Sequence, residues 1–192
     1  GRYRAFDAVG GSSRPGRRFK IGGPVWFTFT STYGKLGRVA SAEGNGMAKP
    51  LTGKVAWITG AGTGIGQAGA FALAEDGALA VLSGRRREAL EGTAKQIAAA
   101  GGTSEIEPLD VADGKAVETA AAGILKRHGR VDILGNSAGL NVTKRNWDVV
   151  DNAGWDTVVG IDLDGAFYAT RAVLGAMRAA GGGLVINISS WA

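Results

Sequence analysis

The chain has 192 residues, a formal net charge of +5 and 45% hydrophobic content, which is enough to bury one sizeable core. It has no cysteine and a single histidine, His128, so a disulfide framework, a thiolate metal site and a histidine-rich metal centre are excluded, and we predict no metal site. The lack of cysteine agrees with a reducing cytoplasm, where we expect the protein. No apolar run approaches the roughly 20 residues of a bilayer-spanning helix, so we expect a soluble protein without a membrane partner.

The positive charge is concentrated at the start of the chain. Residues 1–46 hold eight lysines and arginines against Asp7 and Glu43, a net charge of +6, whereas the remaining 14 basic and 15 acidic residues leave −1. A nucleic-acid-binding domain needs a basic patch on its folded body, and a body near neutrality does not supply one. We therefore expect no nucleic-acid partner.

Residues 1–46 are rich in glycine, serine and arginine and have no sustained hydrophobic period, so we predict a poorly ordered basic leader. Within it, only residues 25–30 indicate a short strand. Two explanations of the leader are open: a targeting peptide, or upstream sequence translated ahead of a start at Met47. The second is favoured, because Met47 comes just before the first core strand. The predicted domain then covers residues 47–192.

From Lys54 onward, short apolar segments alternate with longer segments of helical period. The predicted strands are Val55–Thr59, 78–83, 103–109, 131–134 and 184–188. The predicted helices are 67–76, 86–100, 112–128 and 155–180, each followed by a glycine. This alternation, with strands mostly apolar on both faces, predicts an α/β fold with a parallel sheet covered on both sides. His128, in the last turn of the third helix, is predicted to interact with the helix dipole rather than to act in catalysis.

A glycine-rich segment follows the first strand and opens the first helix. It is Thr59-Gly60-Ala61-Gly62-Thr63-Gly64-Ile65-Gly66, with the spacing G-x-x-x-G-x-G instead of the common G-x-G-x-x-G. Free N–H groups and the helix dipole at such a position bind a pyrophosphate, and glycines leave room for it to approach. A glycine-rich turn without a ligand is the alternative, but the strand before and the helix after favour a dinucleotide. The predicted contacts are Gly60, Thr63, Gly64, Ile65 and Gly66.

Three more motifs follow in register, and together with the glycine segment they resemble the short-chain dehydrogenase/reductase family. They are Asp110-Val111, Asn136-Ser137-Ala138-Gly139 and Asn187-Ile188-Ser189-Ser190, after the third, fourth and fifth strands. The resemblance implies a Rossmann-type doubly wound sheet of about five strands in the order 3-2-1-4-5, incomplete at the C-terminus. It also implies that Asp110 and Val111 lie against the adenine, that Asn136, Ala138 and Gly139 belong to the cofactor site, and that Ser190 is catalytic.

The end of the second strand indicates which cofactor is preferred. An NAD enzyme places a carboxylate there, which binds the ribose hydroxyls and repels a 2′-phosphate. This chain has Gly84 followed by Arg85, Arg86 and Arg87, and a guanidinium binds phosphate through paired, charge-assisted hydrogen bonds. A solvated arginine cluster without a ligand is the alternative explanation. We predict NADP with Arg85 as its ligand, and NAD as the alternative cofactor.

Two departures from the family concern catalysis. By resemblance, hydride moves to or from the nicotinamide while a tyrosine moves the proton, supported by a lysine, a serine and an asparagine. No tyrosine in the chain has a lysine four residues later. Asp162 stands where the family has its asparagine, and a carboxylate donates no hydrogen bond unless it is protonated. The catalytic residues that the resemblance implies are therefore Ser190 and Asp162.

Two functions are open on this sequence. The first is an NAD(P)-dependent oxidoreductase that transfers hydride between nicotinamide and a small-molecule carbonyl or alcohol, present here as a fragment that we expect to be inactive alone. The second is a non-catalytic nucleotide-binding or interaction protein that keeps the fold without the tyrosine. For the full-length form we expect a homo-oligomer. A Tyr-x-x-x-Lys spacing encoded beyond Ala192 would distinguish the two functions.

Overall fold

The structure, a computed structural model, describes residues 49–144 and 146–189 and two short strands before them. The chain divides into two units, Gly1–Met47 and Ala48–Ala192. In the first unit, β1 (Phe19–Lys20) pairs with β2 (Trp26–Phe27) in an antiparallel ladder, and β2 falls within the strand predicted at residues 25–30. The rest of the predicted leader lies outside the described residues, so its poor order stays a prediction.

The second unit is built on a parallel sheet. Its strands are β3 (Val55–Thr59), β4 (Leu79–Gly84), β5 (Thr103–Pro108), β6 (Ile133–Asn136) and β7 (Leu184–Asn187). They lie in the order β5-β4-β3-β6-β7 and all neighbours are parallel, so the predicted doubly wound sheet of order 3-2-1-4-5 is confirmed. From β3 the chain adds β4 and β5 on one side of the sheet and then β6 and β7 on the other, so the order of winding reverses between β3 and β6. In sheets of this kind, ligands bind at the carboxyl ends of the two strands that flank the reversal.

Helices cover both faces of this sheet. They are α1 (Gly64–Glu75), α2 (Arg87–Ala99), α3 (Gly114–His128), α4 (Asn152–Val159) and α5 (Gly165–Ala179). Every residue of β3 is buried: Trp57 packs into the core that α3 and α5 cover, whereas Ile58 packs into the core under α1 and α2. Burial on both faces explains why the strand is an apolar run without alternation. None of the helices in the described ranges is long and apolar enough to cross a membrane.

Four predicted elements had a bound that was wrong by more than one residue. One of them is α3, which begins at Gly114 instead of residue 112 because Asp113 caps it. The segment predicted as one helix, 155–180, is α4 and α5 joined by a π-helical turn, Gly160–Asp164. Helix α1 begins at Gly64 instead of residue 67, so the last residues of the glycine segment form its first turn. Strand β6 covers Ile133–Asn136 instead of 131–134, because Asp132 bonds the start of β3 and ladder pairing begins one residue later.

Helix α3 is capped at both ends, of which the sequence predicted only the glycine at the C-terminal end. The Asp113 carboxylate accepts hydrogen bonds from the backbone N–H groups of Lys115 and Ala116, at 3.0 and 3.1 Å. The helix ends at Gly129, which has a φ of 73°. His128 lies in the last turn, as predicted, and its Nε2 is 3.0 Å from Glu105 Oε2.

A nearly buried carboxylate ties the start of β6 to the start of β3. Asp132, whose side chain is 11% exposed, accepts hydrogen bonds from the Val55 N–H at 3.0 Å, from Lys54 Nζ at 3.1 Å and from the Arg130 guanidinium. Burial alone would raise the pKa of Asp132, but the hydrogen bonds from Arg130, Val55 and Lys54 outweigh burial and hold that pKa below its usual value. The carboxylate therefore stabilises the fold when it is ionised.

We expect Asp132→Asn to lower the free energy of unfolding at pH 7 by about 1–3 kcal/mol, because the charge-assisted bonds are lost. The folded pKa is the lower one, so this stabilisation is complete above the unfolded pKa of about 3.9 and disappears as the pH falls through the folded value. Thermal melts at pH 7 and pH 3 check this: the two proteins should converge in acid. Glu118→Gln, which removes an exposed ion pair with Arg171, is the control and should melt like the parent. An equal difference at both pH values would contradict the assignment.

Candidate functional site

One buried hydroxyl connects the ends of β3 and β6. Thr59, 2% exposed, donates through Oγ1 to the Gly135 carbonyl oxygen at 3.3 Å and accepts hydrogen bonds from the N–H groups of Ser137 and Ala138, both at 3.2 Å. The segment after β6 is thereby fixed against the start of the glycine segment. The motifs after β3 and β6, which are far apart in sequence, thus lie side by side in a crevice at the carboxyl ends of these two strands.

Two glycines make this close approach possible. Gly60 has a φ of +66°, and a Cβ there would lie 2.7 Å from the Ala138 nitrogen and the Ser137 carbonyl oxygen. A Cβ at Gly66 would lie 2.3 Å from the carbonyl oxygen of Gly60. Both distances are far inside van der Waals contact, and the obstructing atoms belong to the backbone. The path of the segment around the first turn of α1 therefore requires glycine at both positions.

A cavity of about 320 Å³ opens at this crevice, a volume within the range of ligand sites. It brings together nine of the eleven residues that the sequence assigns to the cofactor: Gly60, Thr63, Ile65, Gly66, Arg85, Asp110, Val111, Ala138 and Gly139. A wider depression of about 860 Å³ lies along α3 and α5, but it contains none of the glycine segment and shares only Asp110 with the cavity. The smaller cavity is the candidate site because the predicted residues converge on it.

The arginines that follow β4 differ in their surroundings. Arg85 and Arg86 line the cavity beside Gly84, and both side chains are exposed. Arg87 does not line it, and its guanidinium lies 3.9 Å from Glu91 on the next turn of α2. The cavity wall at the end of β4 therefore contains guanidinium groups and no carboxylate.

Comparison with known proteins agrees with this geometry. The family described as short chain dehydrogenase matches residues 54–192, nearly the whole second unit. The chain belongs to the short-chain dehydrogenase family. An uncharacterized oxidoreductase of Staphylococcus aureus (strain USA300) is 37% identical over 141 residues, which cover 73% of this chain and 59% of the relative. A metagenomic short-chain oxidoreductase solved in complex with NADP is 39% identical with a TM-score of 0.71, covering 74% of this chain and 64% of that chain. The chain thus spans about three fifths of the length of these relatives.

Asp162, which is predicted to stand where the family has its asparagine, lies in the π-helical turn. Its Oδ1 accepts a hydrogen bond from the Leu140 N–H at 2.9 Å, and a Cβ at Gly139 would lie 3.2 Å from the same oxygen. The side chain is exposed and does not line the cavity, whereas its neighbour Ile161 does. As an acceptor, a carboxylate can replace an amide, so holding the segment after β6 needs no asparagine.

The remaining predicted residues lie outside the cavity lining. Gly64, with a φ of +61°, opens α1 next to it. Asn136 is 5% exposed at the end of β6, where its Nδ2 donates to Thr170 Oγ1 and Asn187 Oδ1 and ties the strand to α5 and β7. Its Oδ1 is buried without a hydrogen-bond partner among the described residues. Ser190 lies outside the described residues, so its catalytic role stays a prediction.

Sequence reasoning missed the apolar wall of the cavity. This wall consists of Ala89 and Leu90 on α2, Leu109 after β5, Leu140 after β6, Ile161 in the π-helical turn and Ile188 after β7. Most of these residues satisfy the hydrophobic period of their element, so the sequence marks them as core and gives no sign that they face a ligand. The polar residues missed were Arg86 and Ser137, which line the cavity, and Thr59, which opens the glycine-rich segment but was given no role of its own.

Proposed function

We propose that the cavity binds a nicotinamide dinucleotide, with NADP preferred over NAD, and that the chain is the cofactor-binding part of an oxidoreductase. The observation that carries the proposal is the combination of the glycine segment at the reversal point of the sheet with arginines, and no acid, at the end of β4. The relative solved with NADP supports the same choice. A bound nicotinamide would supply or accept the hydride.

The residues that would hold the cofactor follow from their places around the cavity. The backbone N–H groups of the glycine segment and the start of α1 would hold the pyrophosphate, and the first turn of α1 carries no acidic residue that would oppose an anion. Arg85 would bind the 2′-phosphate. Asp110 and Val111 would lie against the adenine. Ala138 and Gly139, which follow β6, would contact the cofactor from that side.

For the chemical step, we propose hydride transfer between the nicotinamide and a small-molecule carbonyl or alcohol, with Ser190 binding the substrate oxygen. Asp162 would act by holding the segment after β6 through the Leu140 N–H, not by donating a proton, since an ionised carboxylate has none to give. The 192 residues contain no Tyr-x-x-x-Lys spacing, so we expect cofactor binding without turnover from this chain. The acid at position 162, where the resemblance implies an asparagine, favours a second candidate, a nucleotide-binding protein without hydride transfer.

Calorimetric titration of the 192-residue chain with NADPH, and separately with NADH, tests the cofactor site. Saturable binding of one molecule per chain is expected, with NADPH at least tenfold tighter. Failure to bind either dinucleotide would overturn the proposal, and tighter NADH binding would overturn the choice of NADP. A carbonyl-dependent loss of NADPH absorbance catalysed by this chain would show that another group supplies the proton and would remove the second candidate.

A further inference from the structure

A fully buried threonine outside the cavity touches the glycine segment. Thr93 lies on α2, and its hydroxyl oxygen is 3.0 Å from the carbonyl oxygen of Ala61. The same hydroxyl accepts a hydrogen bond from Nε2 of Gln67, on α1, at 3.1 Å. One side chain therefore joins α2, α1 and the glycine segment between them.

This hydroxyl completes the anchoring of Ala61. The Ala61 N–H donates to the Ser83 carbonyl oxygen of β4 at 3.0 Å, and the Ala61 carbonyl is satisfied from the other side by Thr93. A second carbonyl, that of Ala89 one turn earlier on α2, lies 3.2 Å from the hydroxyl. The hydroxyl has a single proton, and the contact with Ala61 is the shorter of the two. The segment is also close to α2 at the next residue, where a Cβ on Gly62 would lie 3.0 Å from Ala89 Cβ.

The position of Thr93 matters because α2 and the glycine segment form two walls of one cavity. The arginines that line the cavity directly precede α2, and the glycine segment lines it from the side of α1. We infer that Thr93 is a positioning residue that sets the glycine segment in the conformation required for a dinucleotide pyrophosphate. The inference rests on the proposed function, and it concerns the part of the cofactor that NADPH and NADH share.

Thr93→Val removes the hydroxyl at nearly constant volume and leaves the Ala61 carbonyl and the Gln67 amide without this partner. We expect the dissociation constants of NADPH and NADH each to rise about tenfold, the effect of one buried hydrogen bond, with their ratio unchanged. Thr93→Ser keeps the hydroxyl and should stay within about twofold of the parent. Thr93→Cys, whose thiol is a weak donor, should fall between them and replaces the valine variant if that protein does not fold.

The control must separate positioning from general destabilisation. Ile124→Val shortens a buried side chain on α3, in the core on the other face of the sheet, and should lower the melting temperature without changing either dissociation constant. Calorimetric titration well below the melting temperature of each variant gives the comparison. If Thr93→Val binds both cofactors like the parent, or if Ile124→Val weakens them equally, the inference is wrong while the proposed function stands. No binding by the unsubstituted chain would overturn both.

Discussion

Gly66→Ala is expected to reduce NADPH binding at least about 100-fold, which corresponds to roughly 2.8 kcal/mol. A Cβ at this position would lie 2.3 Å from the Gly60 carbonyl oxygen and 3.2 Å from Ser137 Oγ. The carbonyl belongs to the backbone, so the first turn of α1 has to move away from the glycine segment to relieve the overlap. That movement separates the two groups of N–H donors proposed to hold the pyrophosphate.

A matched control lies one turn further along the same helix. A Cβ at Gly69 would meet nothing within 4 Å, so Gly69→Ala makes the same chemical change without the overlap. It should bind NADPH like the parent and gain about 0.5–1 kcal/mol of stability, because alanine favours a helix interior. Calorimetric titration of both variants, with thermal melts, makes the comparison. Parent-like binding by Gly66→Ala would show that the glycine segment tolerates displacement and that its geometry does not explain recognition.

Much of the fold is predictable from the sequence because a parallel strand that is buried on both faces is a continuous apolar segment. All five residues of β3 and four of the six residues of β4 are buried, and β4 was predicted to within one residue. Strands β5 and β7 were predicted equally closely, although they are only partly buried. The strand order came from the family resemblance, since no local pattern specifies which strands are neighbours. The hydrophobic period of a helix and the glycine that follows it also located α2 and α3, whose ends depend on local capping.

The division of the predicted helix 155–180 into α4 and α5 was not predictable in the same way. The π-helical turn between them inserts an extra residue while the chain continues to coil. The glycines at its two ends, Gly160 and Gly165, keep right-handed helical backbone, so they do not mark a break in the helix. Its effect on the site is large: Ile161 faces the cavity while Asp162 reaches the Leu140 N–H. The family resemblance singled out the acid at this position, but only the structure shows that it accepts a hydrogen bond from the Leu140 N–H.

The candidate site was predictable where it depends on backbone and unpredictable where it depends on side-chain contacts between distant segments. Glycines at fixed spacing after a strand indicate a turn that a phosphate can approach, whatever the rest of the fold. Thr93 and Thr59 carry no such signal, because a threonine in a helix or strand is common and its partner is 32 or more than 70 residues away. Asn136 was assigned to the cofactor by its motif, yet its amide bonds α5 and β7.

Arg85→Ala is expected to separate the two cofactors. Arg85 lines the cavity at the end of β4, and no carboxylate of residues 49–144 or 146–189 forms an ion pair with it. Its guanidinium is therefore available for a 2′-phosphate, which NADPH has and NADH lacks. The loss of this charge-assisted contact should weaken NADPH by about 1–3 kcal/mol, or roughly 5- to 150-fold, and leave NADH within about twofold.

Arg87→Ala provides the control for this prediction, because it removes the same charge two residues away from a side chain that pairs with Glu91 and does not line the cavity. General electrostatic attraction of NADPH to the arginine cluster would weaken binding similarly in both variants, whereas a direct contact weakens it only in Arg85→Ala. Titrations at two salt concentrations sharpen the distinction, since salt screens long-range attraction between exposed charges more than a contact pair. Equal losses of NADPH and NADH in Arg85→Ala, or an effect of Arg87→Ala as large as that of Arg85→Ala, would show that Arg85 does not select the 2′-phosphate.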